Sequence, residues 1–422
     1  MYTVYSIHGS QAILKEGIDM RASLDGVRVL DLTQIMAGPF ATMLLADLGA
    51  DVIKIEKPSG GDDSRRMGEI LKGESAAFMT LNRNKRGIVL DLRSDHGKSI
   101  LWKLIDTADV LVENFRPGTM DKLGFSYDAV HTRNPRLIYC SISGFGQTGP
   151  WRDRGGFDLV AQAMSGVLSV TGGPDSPAKV GVPISDLNAG LFASHAILAA
   201  LYHREHSHQG QRIETSLLEA AMAYTIWESN EYWVTGHTPS RLGTAHRASA
   251  PYQVFQTSDG FVAIGAANQR TWEKLAEATL HPELKEDRRF VTNQDRMKNL
   301  PELINQLTHI FVKKSTDEWL DIMDTYGVPS GPVLTVPQVY EHPQVIARGM
   351  DLQTQHPTVG TVHTIGFPVK YSGTPPVLRH PGPILGQHTK EVLTELGLSS
   401  EDIKELEEKG VTTPNTGTAK AH

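Results

Sequence analysis

The chain has 422 residues, 40% hydrophobic and 21% charged, an ordinary globular composition with enough material for more than one core. Its net charge of −7, with no run of Lys or Arg, excludes a general nucleic-acid or membrane-surface footprint, so a small anionic ligand requires a local basic pocket. The single cysteine, Cys140, excludes an intramolecular disulfide, fits a reducing compartment, and reads as a core thiol from its apolar setting.

Residues 1–23 mix Lys15, Glu16 and Asp19 with no long apolar stretch, which fits neither a secretory signal nor an acid-poor transit peptide. No stretch of the chain reads as apolar and long enough to cross a membrane, and the cytoplasm is the expected compartment. From Val27 short β-branched runs alternate with helical segments: Val27–Leu32, a helix over about Pro39–Leu48, then Asp51–Glu56. The series continues with Ile88–Leu90, a helix over Lys98–Asp106, Val110–Glu113 and Leu137–Ile142. Such alternation predicts a parallel sheet covered by helices, a Rossmann-like α/β domain. Gly144-Phe-Gly-Gln-Thr-Gly149 falls one position short of a dinucleotide fingerprint and is followed by Pro150, so it reads as a turn-rich loop near a site.

A Gly/Pro-rich approach, Gly181-Val-Pro-Ile-Ser-Asp186, then enters a helix whose Leu187, Leu191, Leu198 and Leu201 recur at helical spacing. Asp186 therefore stands at a helix N-terminus, where unpaired backbone N–H groups favour an ionised carboxylate. An ordinary helix cap and a carboxylate nucleophile both satisfy this local sequence. His203, His206 and His208 cluster at the far, polar end of that helix and read as a solvated terminus rather than a metal site. Tyr252–Phe255 and Phe261–Gly265 flank Asp259-Gly260, a hairpin signal, and helices follow to about Tyr326. From Pro329 the chain is rich in Pro, His and Gly until a helix around Glu401–Glu408, and the last dozen residues read as disordered. The expected organisation is an N-terminal extension over 1–23 and a large Rossmann-like domain over 24–215. A smaller α+β domain over 216–330 follows, and a segment over 331–422 returns to the large domain.

Several separated segments, taken together, resemble the class III CoA-transferases, also called the CaiB/BaiF family, over about Leu24–Val411. They are Gly26-Val-Arg-Val-Leu-Asp-Leu-Thr33, Ala37-Gly-Pro-Phe-Ala41, Leu48-Gly-Ala-Asp-Val-Ile-Lys-Ile-Glu56, Asn82-Arg-Asn-Lys-Arg86, Glu113-Asn-Phe-Arg-Pro-Gly118, Ser143-Gly-Phe-Gly-Gln-Thr-Gly-Pro150, Gly156-Phe-Asp158 and Pro183-Ile-Ser-Asp186. The resemblance implies acyl-CoA chemistry with Asp186 as nucleophile, passing through a mixed anhydride and an aspartyl-CoA thioester. Coenzyme A enters as part of the substrate, and neither a metal nor a permanently bound cofactor is implied. Positions similar to the family's CoA contacts are Ala37, Lys57, Leu90, Arg93, Asn114, Phe115, Arg116, Lys122, Phe157 and Asp158. Of these, Lys57, Arg93, Arg116 and Lys122 supply cations for phosphates, and Phe115 an apolar face for adenine.

Met36 and Phe157 depart from the glutamine and tyrosine of the formyl-CoA:oxalate branch, which argues against oxalate as acceptor. Phe157-Asp158 stands where α-methylacyl-CoA racemases of the superfamily need a His-Asp pair, and phenylalanine cannot exchange a proton. A carnitine-type transferase and a CoA-binding regulator without turnover are the remaining alternatives, the latter having no use for a carboxylate at 186. Arg241-Leu-Gly-Thr-Ala-His-Arg247 with Ala250-Pro-Tyr-Gln-Val-Phe255 resembles the succinyl-CoA:dicarboxylate branch. Arg65, His246 and Arg247 are candidates for a distal carboxylate. Gly265-Ala266-Ala267-Asn268 occupies the place of the family's glycine-rich closing loop. The family also implies an interlocked homodimer.

Overall fold

The computed structural model describes residues 22–413. Apart from Ala22 and Ser23, the expected N-terminal extension lies outside the described residues, as does the closing stretch from Pro414. Of the dozen residues expected to be disordered, Val411 and Thr412 are instead buried, and the Val411 carbonyl accepts from Asp91 N–H.

Six strands form one parallel sheet in the order Arg212–Ser216, Ile138–Ser143, Val110–Glu113, Arg28–Asp31, Asp51–Glu56, Lys85–Val89. In chain order these are the sixth, fifth, fourth, first, second and third strands. Winding runs outward in both directions from a switch between Arg28–Asp31 and Val110–Glu113, and ligands of such sheets bind beyond the carboxyl ends of the strands at the switch. Both faces are covered, so the strands are apolar on both sides. Val29, Val52, Val110 and Val112 point to one face, under the Ala37–Asp47 and Ile184–Ser207 helices. Leu30, Ile53 and Leu111 point to the other, under Asp95–Thr107 and the helices Thr389–Glu395 and Ser400–Glu408, which contribute Val392, Leu393, Ile403 and Leu406. Each buried Val, Leu or Ile contributes roughly 1.5–3 kcal/mol of burial.

The chain divides into two compact units. The sheet unit takes the residues up to Val167, Val180–Ser229 and Pro343 onward; the second takes Leu168–Lys179 and Asn230–His342. These limits differ from the expected boundaries for packing reasons. The Leu217–Met222 helix buries Leu217 and Ala220 in the sheet's core, so residues 216–229 stay with the first unit. Ser330–Pro332 is the third strand of the second unit's antiparallel sheet, beside Tyr252–Gln256 and Phe261–Gly265, which keeps residues 331–342 there. The core of that unit joins Phe255, Ile264, Trp272, Phe290, Phe311 and Trp319.

Among the elements that escape the hydrophobic reading are the edge strand Arg212–Ser216 and the hairpin Asp351–His356/Gly360–Ile365, in which polar residues predominate. The expectation that no stretch suits a membrane span also needs correction. The 24-residue Ile184–Ser207 helix is long and apolar enough by length and composition. Its Ala189, Ala193, Ile197 and Ala200 nevertheless sit in the sheet's core, as expected of a core helix.

Candidate active site

The loops beyond the carboxyl ends of the strands meet at the switch point. After Asp31 the chain turns through Leu32–Met36 before its helix starts at Ala37; after Glu113 it continues as Asn114–Arg116. The Asn114 side chain ties the two loops, accepting from Gln34 N–H at 2.8 Å and donating to Gln34 C=O at 2.8 Å. Ala37 is buried, with Met36 half-buried before it. A Cβ at Gly190 would lie 2.5 Å from the Ala37 carbonyl oxygen, so the start of this helix packs directly on the Ile184–Ser207 helix, about one turn beyond Asp186.

Asp186 is in the first turn of that helix, as the sequence predicts. Its carboxyl is half-buried and, among the described residues, meets no hydrogen-bond donor. Burial first, and the Asp158 carboxylate second, push it up to about 7. The expected ionising influence of the helix terminus is therefore outweighed by desolvation. Asp158 is fixed beside it: one oxygen accepts from Ser185 N–H at 2.9 Å and the other from the Gln162 amide at 2.8 Å. Gln162 is fully buried, and its own oxygen accepts from Val180 N–H at 2.9 Å. The glycines of two matched segments have a steric role here. A Cβ at Gly144 would lie 2.6 Å from the Gly156 Cα, so the two backbones cross in contact just before Phe157 and Asp158. Phe157 itself is 75% exposed.

The remaining expected CoA positions share the carboxyl edge of the sheet. Lys57 follows Asp51–Glu56 and pairs with Asp63 at 2.9 Å. Arg93, 79% exposed, sits in the loop after Lys85–Val89 and leans on Asp91. Phe115 packs partly against the core, its N–H donating to Glu113 at 2.9 Å, and burial pushes Glu113 up to about 7. Arg116 lines a small polar pocket with Glu113, Tyr127, Gln147 and Arg212, while Lys122 is exposed on the short Thr119–Leu123 helix. Leu90 is a core residue, 1% exposed, which leaves its backbone as the part that can meet a ligand. Arg65 is no free cation. It is buried, forks onto Glu56 with two 2.7 Å bonds and stacks on Phe78, so its charge is neutralised within the core.

In the second unit, Arg247 donates to Glu231 at 3.0 Å and to the Ser240 carbonyl at 2.9 Å. His246 Nδ1 accepts from Ala248 N–H, and the ring stands edge-on to Tyr252. The Gly265–Asn268 stretch is anchored rather than a loose glycine loop. Gly265 N–H donates to the Pro329 carbonyl, Ala266 is buried with its N–H on Pro251, Ala267 is exposed, and Asn268 caps the Gln269–Ala278 helix through Thr271.

Sequence reasoning passed over Gln162 and a buried set beneath the loop, Asp31, Lys54, Asp62 and Lys85. The signal was present in Lys54, inside an apolar strand, and in Asp31, at the end of another, where an unpaired buried ion is prohibitively costly.

Residues 24–389 match the model of CoA-transferase family III. The chain is 40% identical over 380 residues to a succinyl-CoA:glutarate CoA-transferase of Mus musculus, covering 90% of this chain and 87% of that protein. It is 41% identical over 364 residues to an acetyl-CoA:oxalate CoA-transferase of Acetobacter aceti, covering 86% and 92%. A CaiB/BaiF family protein from Brucella suis superposes with a TM-score of 0.80 at 37% identity, over 89% of this chain and all of that one. With the family model spanning most of the chain and relatives this similar along nearly their whole lengths, the chain belongs to CoA-transferase family III.

Proposed function

We propose that the enzyme moves CoA from succinyl-CoA to a dicarboxylic acid, with Asp186 as the nucleophile. The observation that carries the reading is a half-buried carboxylate that no donor among the described residues occupies, at the head of a core helix against the switch-point loops of a CoA-transferase fold. An ionised Asp186 oxygen attacks the thioester carbonyl carbon; the C–S bond breaks, and CoA leaves as thiolate, forming a mixed anhydride. The thiolate then attacks the Asp186 carbonyl carbon, releasing succinate and leaving an aspartyl-CoA thioester. The acceptor carboxylate attacks that thioester, and the thiolate freed in this step takes the acceptor's acyl carbon, returning Asp186 unchanged. Thioester energy is conserved throughout, provided that water is excluded. Lys57, Arg93, Arg116 and Lys122 offer the phosphates their charge along one edge. The lone buried Cys140 is consistent with work in the reducing cytoplasm.

The distal carboxylate of a dicarboxylate needs a cation. Arg65 and Arg247 are both ion-paired, but Arg247, singled out by the resemblance to the dicarboxylate branch, is the less buried of the two and sits on a more exposed partner, Glu231, and is our candidate for it. One observation favours a second reading, oxalate as acceptor: the similarity to the acetyl-CoA:oxalate enzyme, against which stand Met36 and Phe157. Labelled succinyl-CoA offered to glutarate, oxalate and butyrate separates the two. Exchange is expected with glutarate first, and preference for oxalate would reverse the assignment. Asp186→Asn is expected to bind CoA and abolish exchange, since an amide forms no anhydride; near-normal turnover would sink the mechanism. Arg247→Ala is expected to weaken glutarate use about 10- to 100-fold while sparing butyrate, the value of one charge-assisted hydrogen bond.

A further inference from the structure

The loop between the first strand and its helix contains a backbone conformation that needs an explanation. Ile35 has φ 70°, in the left-handed region, where a β-branched side chain collides with its own backbone. Such a residue stays there only when its surroundings hold it. The restraints can be traced bond by bond. Thr33 N–H and hydroxyl both donate to Asp31, at 2.9 and 2.5 Å, and the Thr33 carbonyl accepts from Lys54 Nζ at 2.9 Å. Gln34 is clamped on both sides by Asn114. Ile35 N–H donates to the Asp62 carboxylate, 3.1 and 3.3 Å from its two oxygens.

Two of these ties share one ion pair. Lys54 Nζ and Asp62 lie 2.9 Å apart with side chains 0% and 1% exposed. Replacing a buried pair of this kind by apolar residues of similar size is often neutral or stabilising, so net stability does not account for its place under the loop. Its geometry does: one partner holds the carbonyl before Gln34, the other the N–H after it.

We propose that Lys54 and Asp62 are positioning residues, a buried ion pair that locks Ile35 in the left-handed conformation and so aims Met36 and Ala37 at the head of the Asp186 helix. The inference rests on the reading of Asp186 and its neighbouring loop as the site of acyl transfer. Released from the pair, Ile35 relaxes to negative φ, and the two following residues rotate away. A displacement of about 1 Å near reacting groups costs on the order of 100-fold in rate.

Three variants test it, each assayed for kcat, for KM of acyl-CoA, and for amide hydrogen exchange over residues 33–37. Lys54→Met with Asp62→Leu removes both charges together and is expected to lower kcat about 10- to 100-fold, more than it raises KM, with faster exchange at Gln34 and Ile35. Adding Ile35→Gly to that pair is expected to recover part of kcat, because glycine reaches φ 70° untethered; a loss due to general destabilisation would not recover. Ile35→Pro leaves the ion pair intact but forbids positive φ and removes the N–H, and in protein shown to be folded by its circular-dichroism spectrum and unfolding midpoint a loss like that of the double variant is expected. Wild-type kcat in the folded double variant or in Ile35→Pro would overturn the proposal, as would loop exchange in the double variant as slow as in the wild type. That exchange measurement needs no substrate. A wild-type enzyme with a protected loop but no CoA exchange would therefore refute the functional reading and leave the positioning role standing.

Discussion

Asp186 combines two demands that oppose each other. It must be ionised to attack, yet burial and Asp158 hold its proton up to a pH of about 7. The rate of CoA exchange is expected to rise with pH through about 7. Asp158→Asn removes the like charge and is expected to move that midpoint downward, though only in part, because burial is the larger cause. An unmoved pH–rate midpoint would show that the two carboxylates do not communicate. The stability consequence has a definite sign. A carboxyl whose folded value is raised from 3.8 to about 7 costs the fold nothing below 3.8, destabilises it progressively as pH rises from there, and carries its full cost above about 7. Asp186→Asn should then gain on the wild type as pH rises, by on the order of 1–3 kcal/mol since the side chain is partly solvated, as measured by denaturant unfolding at pH 4 and 8. The helix-head placement of Asp186 was legible from Pro183 and the leucine spacing. The pairing with Asp158 was not, because 27 residues separate Asp158 from Ser185 and only the packed fold brings the Ser185 N–H to the Asp158 oxygen.

At the scale of elements, two glycine contacts set how closely the site's pieces approach. Gly144 against Gly156 brings the turn after one strand onto the segment that delivers Asp158, and Gly190 against Ala37 brings together the two helices that flank the switch point. Gly144→Ala adds a methyl 2.6 Å from the Gly156 Cα and is expected to cost about 1–3 kcal/mol in denaturant unfolding, together with a fall in kcat as Asp158 shifts. Unchanged stability and kcat would mean that the crossing yields freely. Four of the six sheet strands were legible as apolar, β-branched runs because both faces of a parallel sheet are buried, and the edge strand Lys85–Val89 only over Ile88-Val89, its Lys-Arg-Gly start giving no such signal. The sixth, Arg212-Ile-Glu-Thr-Ser216, lies at the edge beside Ile138–Ser143, where backbone pairing rather than apolar burial decides. Its polar residues therefore carried no signal.

At the scale of the whole molecule, the Ile226–Thr235 helix has no buried residue, and Trp227, Tyr232, Trp233 and Val234 are 64, 56, 73 and 82% exposed. Apolar surface concentrated in this way suits a protein–protein contact, a ligand groove or a membrane, and we propose the first. The homodimer implied by the family resemblance is a natural occupant, and we expect light scattering to find two chains at micromolar concentration, with an unfolding midpoint that rises with protein concentration. A stable, active monomer would contradict it. Trp233→Glu is expected to weaken association while leaving the sheet's core, to which it makes no contribution, intact.

The sequence by itself determined the α/β class, the parallel strand series, the helix carrying Asp186 and, through eight separated segments, the family. Each of these rests on local periodicity or on contiguous motifs, which a linear chain displays directly. The tertiary structure decided what depends on residues far apart in the chain. Arg65, expected to meet substrate, lies folded onto Glu56 because the turn after the second strand returns it to the core. Segment 168–179 joins the second unit, and the Val392–Val411 stretch closes the sheet's other face. Lys54 meets Asp62 only once the strand and the following turn are packed, and a buried charge of either sign requires its partner at hydrogen-bond distance, a condition that distance along the chain does not encode.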